Sequence, residues 1–357
     1  MSKVLAMQIL TWPAVLSSLL AGEDLSRESA SWAMRQIMSG EASEAQIGAF
    51  MMALRSKGET VGELAGLVDV MLDNAVLLDT GSDAVDIVGT GGDLVGTVNI
   101  SSMAAIVTAA AGVPVLKHGS RSASGKTGSS EMLEVLGIRL DLAPAQVAEV
   151  FRKVGITFFF APVFHPAMRF VAPVRKQLGV PTTFNFLGPL ANPAQPIATA
   201  LGVANPVIAP KMAQELASRK RAGLVFRSTD GLDELSTTSP SSVWVVRPDA
   251  VEEVIFDPRD LGIDRATIDQ LIGGDAKHNA EVARRLFAGE ELENSKAIFD
   301  VVTLNAAGGM VAYEIAKGSR SNISGLFEAA IITAKAAIES GAAQRKLVEW
   351  SAATQQF

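Results

Sequence analysis

Apolar and polar residues alternate with the period of an α-helix from about residue 12 to residue 74. Within this stretch Ser43 and Gln46 have the spacing of a capping box, which is typical of a helix start. The apolar residues that follow share one helical face: Ile47, Phe50, Met51 and Leu54. The pattern predicts a small helical bundle, and we interpret the methionines at this spacing as core residues.

At residue 85 the pattern changes to short β-branched runs separated by helical segments. The predicted strands are residues 85–88, 113–116, 157–160, 222–226, 243–246 and 253–256. Such alternation favours a mostly parallel central sheet flanked by helices. The fold class is therefore α/β, with a small all-helical domain and a larger α/β domain.

Domain boundaries follow from the same pattern. We assign residues 1–80 to the helical domain, with a later contribution from about residues 176–200. Residues 81–175 and 201–357 form the α/β domain. In the segment 171–196 a helix is followed by the turn-rich tract FNFLGPLANPAQP, whose prolines and glycine predict a break in regular structure. Alanine-rich runs near the end of the chain predict closing helices.

Two glycine-rich loops carry the clearest chemical signal, because each directly follows a predicted strand. Gly89, Gly91, Gly92 and Gly96 leave backbone N–H groups accessible to an anion. Residues 99–102 then open an alanine-rich helix, whose N-terminus favours negative charge. The second loop adds Lys117, Arg121 and Lys126 as mobile cations. Together the loops predict a site for a ligand with several phosphates.

Neither of the two common nucleotide motifs is present. The chain has no G-x-x-x-x-G-K-[ST] run, and GTGGDLVG lacks the spacing G-x-G-x-x-G. ATPase and dehydrogenase functions are therefore disfavoured.

Composition narrows the function classes further. The 357 residues include 31 Lys and Arg, 38 Asp and Glu and no cysteine, for a net charge of −7. The acidic balance disfavours a nucleic-acid partner, and the lack of cysteine excludes disulfides and thiolate chemistry. We expect a cytoplasmic protein without a membrane partner, since we find no targeting segment and no apolar run near the roughly 20 residues of a membrane span.

Several polar residues outside the two loops are candidates for the chemistry. Asp233 and Glu234 are adjacent carboxylates in a predicted loop, which suits Mg²⁺, although a solvated acidic turn has the same pattern. Arg175 could bind a carboxylate or form a surface salt bridge. His118 and His165 are expected in loops after strands, and His278 on a helix surface.

These features resemble those of the anthranilate phosphoribosyltransferases, which join anthranilate to 5-phosphoribosyl 1-diphosphate (PRPP) in tryptophan biosynthesis. The resemblance covers nearly the whole chain. Its motifs are IMSGEASEAQIGAFMMALRSKGET from Ile37, GTGGD from Gly89, KHGSRS from Lys117, FHPAMRFVAPVR from Phe164, FNFLGPLANP from Phe184 and DGLDELS from Asp230.

The resemblance implies a set of ligand contacts and a homodimer. PRPP would contact Gly89, Gly92, Asp93, Thr97, Asn99, Ile100, Ser101, Ser102, Lys117, His118, Gly119, Ser120, Arg121, Ser122, Ala123, Ser124, Gly125 and Ser129. Anthranilate would contact Gly89, Ser120 and Arg175. Two Mg²⁺ ions would use Ser101, Asp233 and Glu234. Ser120 departs from the family pattern KHGNRS and bears on the choice of amine substrate.

The implied reaction displaces diphosphate from the anomeric carbon by the amine of anthranilate, with inversion. Backbone N–H groups, Mg²⁺ and Lys117, the candidate catalytic residue, would stabilise the departing diphosphate. Two other functions stay open. A pyrimidine nucleoside phosphorylase is disfavoured by the acidic pair, and a non-catalytic nucleic-acid-binding relative is disfavoured by the acidic balance.

Overall fold

The structure is a computed structural model that describes residues 10–81, 83–121, 127–248, 250–291 and 293–357. The chain divides into two compact units. The first unit runs to Ala75 and includes His165–Leu187, and the second contains Val76–Phe164 and Gly188–Phe357. A small helical part and a larger α/β part are thus confirmed.

The helices and strands are numbered in chain order. The helices are α1 (Trp12–Leu20), α2 (Arg27–Met38), α3 (Glu44–Lys57), α4 (Val61–Asp73), α5 (Ile100–Ala110), α6 (Ser129–Val135), α7 (Pro144–Val154), α8 (Ala161–Phe164), α9 (Ala172–Leu178), α10 (Phe184–Leu190), α11 (Ala209–Ser218), α12 (Ala276–Ala288), α13 (Ser295–Ala316), α14 (Ile323–Glu339) and α15 (Ala342–Thr354). The strands are β1 (Val85–Gly89), β2 (Val115–Gly119), β3 (Ile156–Phe160), β4 (Ala198–Gly202), β5 (Ala222–Ser228), β6 (Ser241–Arg247) and β7 (Ala250–Phe256). Short 3₁₀ turns occupy Pro166–Phe170, Pro258–Leu261 and Ile268–Leu271.

The helical unit forms as its pattern predicts. Ser43 and Gln46 make the reciprocal bonds of a capping box at the start of α3. Thr60 and Glu63 do the same at the start of α4. The predicted apolar face of α3 is buried: Ile47, Phe50, Met51 and Leu54.

The second segment of the helical unit begins and ends earlier than predicted, at His165–Leu187 and not at residues 176–200. Packing explains the difference. The Phe170 ring lies against Gly40, where an added Cβ would come within 2.8 Å of it. Val174 contacts Gly48, and the buried Thr183 hydroxyl donates to Glu59. These contacts tie the return segment to α3 and its flanking turns.

The α/β unit is built on a seven-stranded sheet of order β3-β2-β1-β4-β5-β6-β7. The first five strands in that order are parallel, and β6 and β7 join antiparallel. In this arrangement β1 and β4 are central neighbours that end level, since Gly89 pairs with Gly202. Loops after the parallel strands therefore meet at one edge of the sheet.

Three local predictions were wrong. The central strand β4 was missed, because its sequence ATALG has none of the β-branched run that marked the other strands. β2 begins two residues later than predicted and extends to Gly119. The tract FNFLGPL is helical as α10, with Pro189 inside the helix, where it removes one backbone N–H donor.

Helix α13 lies in the core of the α/β unit. It is long and apolar enough to cross a membrane by length and composition, so the expectation that no run approaches that length was wrong. However, 83% of its most apolar window is buried inside the protein. Thr108 of α5 donates to Ala306 O at 3.2 Å, and Gly309 leaves room for Ile87 of β1. These contacts identify α13 as a core helix.

Candidate active site

The adjacent ends of β1 and β4 form a slot that accommodates Asp233. An added Cβ at Gly202 would overlap the carbonyl oxygen of Asp233, and one at Gly89 would overlap its carboxylate. Neither glycine has a positive φ. Both positions therefore require glycine because there is no room for a Cβ atom, and not because the backbone adopts a positive φ. The loop after β5 crosses the strand ends at this point and places Asp233 in the site.

The acidic pair is bonded to the first glycine-rich loop and to the start of α5. Gly91 N donates to Asp233 Oδ2 at 2.7 Å, and Ser101 N donates to Glu234 Oε1 at 3.2 Å. Part of the predicted anion cradle thus binds carboxylates of the chain itself. The alternative of a solvated acidic turn does not hold for Asp233, which is only 9% exposed.

Burial dominates the electrostatics of this pair. Removal from water raises the pKa of Asp233, and the nearby charge of Asp93 raises it further. Burial also raises the pKa of Glu234, followed by the charge of Asp233. Two adjacent carboxylates, one buried and one half-buried, favour a cation between them.

Asn305 of α13 fixes the backbone next to Glu234. Its Oδ1 accepts from Leu235 N at 3.0 Å, and its Nδ2 donates to Leu235 O and Val301 O at 2.8 and 2.9 Å. Asn305 is 1% exposed. The loop that carries the acidic pair is therefore held by α13 as well as by the ends of β1 and β4.

Lys117 is buried in β2 and is not a mobile cation, contrary to the sequence prediction. Its Nζ donates to Ile87 O and, at 3.4 Å, to Ser101 Oγ. Burial lowers the pKa of Lys117, while the charges of Asp86, Glu234 and Asp233 oppose that shift. The side chain fixes a positive charge beneath Ser101 and close to the acidic pair.

Asp86 links β1 to β2 beneath the second loop. Its Oδ1 accepts from His118 N at 3.1 Å, and its Oδ2 accepts from Asn192 Nδ2 at 2.8 Å. Asn192 also donates to Leu116 O at 2.8 Å. Burial raises the pKa of Asp86 to about 6. Neither Asp86 nor Asn192 was identified from the sequence, where their buried positions gave no chemical signal.

The first loop continues from Gly92 to the first turn of α5. Gly92 has φ +89, a conformation that L side chains rarely adopt. Asp93 Oδ1 accepts from Val95 N at 3.1 Å. Thr97 forms an isolated bridge with Ile272. The structure thus places these residues, which were predicted to contact PRPP, on one short stretch of backbone.

The first turn of α5 presents polar groups beside this loop. Helix α5 begins at Ile100, which is buried. Ser102 is 1% exposed, and its hydroxyl has no hydrogen-bond partner among the described residues. Asn99 is the N-cap residue, but its side chain makes no capping bond. Both side chains thus lie at the start of the helix without capping its backbone.

The two ends of the second loop lie together. An added Cβ at Gly119 would come within 2.7 Å of Ser129 Oγ at the start of α6. Ser120 is exposed, and Arg121 pairs with Glu134 at 2.9 Å while lying over the Phe160 ring. The further predicted residues lie outside the described part of the chain: Ser122, Ala123, Ser124, Gly125 and Lys126.

Arg175 lies on α9 of the helical unit. Its guanidinium donates to Asn185 Oδ1 at 3.2 Å, and burial lowers its pKa. No carboxylate forms a salt bridge with it within the described residues. The surface salt bridge considered for Arg175 is therefore absent there, which leaves its charge available for an anionic ligand.

The histidines differ from the prediction in one case. His118 lies in β2 and not in a loop, and its ring is buried, with Nδ1 donating to Gly188 O at 3.0 Å. His165 is also buried, but it lies in the connection between α8 and the 3₁₀ turn, outside any helix or strand, as predicted. His278 lies exposed in the first turn of α12, as predicted.

The acidic pair suits Mg²⁺ better than a metal held by protein ligands alone. The described ranges contain no group of three or more His, Cys, Asp or Glu residues that could hold a metal. Mg²⁺ typically uses one or two carboxylates and completes its shell with water and substrate phosphates. Asp233 and Glu234, with Ser101 beside them, provide that donor set.

Family models match both parts of the chain. Residues 13–75 match the glycosyl transferase family, helical bundle domain, and residues 81–344 match the glycosyl transferase family, a/b domain. The anthranilate phosphoribosyltransferase of Leifsonia xyli subsp. xyli is 55% identical over 347 residues, covering 96% of this chain and 98% of that protein.

The fold of the chain is also similar to the folds of solved structures. Anthranilate phosphoribosyltransferase from Thermus thermophilus superimposes with a TM-score of 0.86 at 38% identity, covering 96% of this chain and 99% of that one. The Saccharomyces cerevisiae enzyme in complex with PRPP and Mg has a TM-score of 0.84 at 26% identity, covering 98% and 99%. The yeast enzyme in complex with 4-fluoroanthranilate has a TM-score of 0.81, with the same identity and coverage.

Proposed function

The chain belongs to the anthranilate phosphoribosyltransferase family, and from this premise we propose that it transfers the phosphoribosyl group of PRPP to the amine of anthranilate in a Mg²⁺-dependent reaction. The bond between the anomeric carbon and the diphosphate oxygen breaks, the carbon–nitrogen bond forms, and the amine loses a proton. Tryptophan biosynthesis is the pathway that this activity would serve. The observation that carries the proposal is the slot at Gly89 and Gly202, which brings Asp233 to the glycine-rich loop.

PRPP would bind along the first loop and the start of α5. The residues proposed to contact it there are Gly89, Gly92, Asp93, Thr97, Asn99, Ile100, Ser101 and Ser102. Two features support this placement: the N-terminus of α5 favours anions, and the buried Ser102 hydroxyl lacks a partner among the described residues. The proposed contacts in the second loop are residues 118–125 and Ser129.

Mg²⁺ would be held by Asp233, Glu234 and Ser101, with two ions as the proposed number. When bound, it supplies positive charge to the departing diphosphate. Gly91 and Ser101 orient the two carboxylates through their backbone N–H groups, and Asn305 fixes the adjoining backbone.

Lys117 is assigned a different role from the one that the sequence suggested. Its Nζ is bonded to Ile87 O and Ser101 Oγ within the protein. We therefore propose that it acts as a positioning residue, holding Ser101 and balancing the acidic pair, and not as a direct catalytic contact.

The residues proposed to contact anthranilate are Gly89, Ser120 and Arg175, with the Arg175 guanidinium binding the carboxylate. The Arg175 guanidinium has no carboxylate partner among the described residues, and its planar fork suits a carboxylate. Ser120 is exposed and carries a hydroxyl where the family usually has an asparagine amide. A shorter donor at this position would affect the choice of amine.

The experiment that tests this function follows the fluorescence of anthranilate with purified protein. We expect decay only when PRPP and Mg²⁺ are both present. Thymidine phosphorolysis and turnover of substituted anthranilates are measured in parallel. Turnover of thymidine with phosphate alone would contradict the proposal in favour of a nucleoside phosphorylase.

We also propose that the protein is a homodimer in the cytoplasm, as the family resemblance implies. Light scattering after size-exclusion chromatography should give twice the chain mass of 37.4 kDa. A monomeric mass would contradict the first proposal, and recovery of the protein from a fraction other than the cytosol would contradict the second.

A further inference from the structure

Asn279, in the first turn of α12, is a buried amide whose orientation is fixed by a backbone donor. Its Oδ1 accepts from Gly274 N at 2.8 Å, and its Nδ2 donates to Asn99 Oδ1 at 2.8 Å. A backbone N–H can only donate, so the oxygen of Asn279 must face Gly274. Its nitrogen therefore faces Asn99. The side chain is 1% exposed.

This bond determines what Asn99 can offer to a ligand. An asparagine at the N-cap ordinarily accepts a backbone N–H of its own helix, but Asn99 makes no such bond. Its Oδ1 accepts from Asn279 instead. The amide group that remains for a ligand is Nδ2, a donor with two hydrogens.

The segment before α12 holds Asn279 rigidly against the first loop. Val98 N donates to Leu271 O, and Gly273 N donates to Gly96 O, both at 2.9 Å. At Gly273 an added Cβ would come within 2.7 Å of Asn279 Oδ1 and 2.8 Å of Thr97 O. The backbone at Gly273 therefore approaches the loop too closely for any other residue.

We propose that Asn279 is a positioning residue that turns the Asn99 amide so that its NH₂ group donates to an anionic oxygen of PRPP. Three donors then point in one direction: from Gly274 to Asn279, from Asn279 to Asn99, and from Asn99 to the ligand. The proposal rests on the proposed function, because PRPP supplies the anionic oxygen.

The substitution Asn279→Asp tests the orientation. A carboxylate can still accept from Gly274 N, but it also presents an acceptor to Asn99. The Asn99 amide must then rotate to donate to it, which turns its carbonyl oxygen toward PRPP. We expect KM for PRPP to rise on the order of tenfold or more and KM for anthranilate to stay nearly unchanged. Asn279→Ala, which frees the amide without reversing it, should have a smaller effect.

A double-mutant cycle separates this role from a general structural one. In an Asn99→Ala background, Asn279→Asp should add little to KM for PRPP, because no amide remains to be reversed. Asn322→Asp is the matched control. That residue caps α14 by accepting from Ser324 N at 3.0 Å, so a carboxylate can replace it. Thermal unfolding and calorimetric binding of PRPP with Mg²⁺ check the fold and the affinity of each variant.

The outcomes distinguish the positioning role from the proposed function. An equal rise in both KM values, or an undiminished effect of Asn279→Asp in the Asn99→Ala background, would overturn the positioning role. If Asn279→Asp fails to fold, Asn279→Ala replaces it in the double-mutant cycle. The same two results for KM would then overturn the positioning role. Wild-type protein that neither binds PRPP nor consumes anthranilate would instead contradict the proposed function.

Discussion

At the scale of single residues, the glycines at the candidate site serve the chain as well as a ligand. The sequence pattern predicted that Gly89 exposes backbone to phosphate. The structure gives it a second role, since Gly89 and Gly202 together leave room for Asp233. Gly202 was not predicted, because it belongs to no motif and the loop that crosses it comes from a distant part of the sequence.

The substitution Gly202→Ala should disrupt the site. The new methyl group would overlap Asp233 O, so the backbone of the acidic loop must move. We expect a loss of about 2 kcal/mol in the free energy of unfolding and a fall in turnover of at least about tenfold. Urea unfolding and the anthranilate assay measure the two effects.

Gly325→Ala is the control for this substitution. Gly325 lies exposed in α14 with nothing within 4 Å of an added Cβ, and alanine favours the helix. This variant should be as stable as the wild type or slightly more stable. Normal turnover in Gly202→Ala would show that the acidic loop does not depend on the slot.

The polar residues show the same limit of sequence reasoning. Asp233, Glu234 and the loop residues were predicted because their types and spacing form motifs. Asn279 and Asn305 were not, because a single asparagine in a helix has no signal until the fold brings it to its partner. The hydrogen bond between Asn305 and Leu235 joins residues that are 70 positions apart in the sequence, and the one between Asn279 and Asn99 joins residues that are 180 positions apart.

At the scale of elements, strand pairing positions the second loop. The prediction placed β2 too early, so it left Lys117 and His118 in a mobile loop. The structure buries both in the strand, where Asp86 of β1 accepts from His118 N. β-Branched runs marked the other strands in the sequence, but β4 consists mostly of small residues, and its pairing with β1 and β5 is what identifies it.

Asp86 should make stability depend on pH. Its pKa is raised by burial to about 6, so between pH 4 and pH 6 the folded state binds more protons than the unfolded state. The contribution of Asp86 to the free energy of unfolding therefore falls as pH rises through this window, by up to about 3 kcal/mol. Once the pH is well above 6, the carboxyl is ionised in both states and its contribution is constant.

Comparison with Asp86→Asn isolates this effect from other titrating groups. The asparagine cannot ionise, so the stability of the wild type relative to the variant should fall between pH 4 and pH 6. Urea denaturation at pH 4.5, 5.5 and 7 measures the difference. A difference that stays constant with pH would mean that Asp86 does not titrate in this range.

At the scale of the whole molecule, the class of fold and the two-part organisation were predictable because helical and strand periodicities occupy separate parts of the sequence. The return of the chain to the helical unit was predicted too late. It depends on contacts such as Phe170 with Gly40, which no local pattern reveals. The family resemblance was predictable because its motifs are spread along nearly the whole chain.

The proposed function requires the acidic pair at the strand ends to provide the Mg²⁺ site of a phosphoribosyl transfer. Its most direct test is the Mg²⁺ dependence of anthranilate consumption in the double variant Asp233→Ala and Glu234→Ala. The matched control replaces Glu252 and Glu253, an adjacent acidic pair exposed on β7, by alanine.

We expect the wild type and the control to consume anthranilate with the same Mg²⁺ dependence. The variant of the acidic pair should lose at least about 100-fold in turnover while keeping the circular dichroism spectrum of the folded protein. Wild-type turnover with an unchanged Mg²⁺ dependence in that variant would show that Asp233 and Glu234 do not hold the Mg²⁺ used in the reaction.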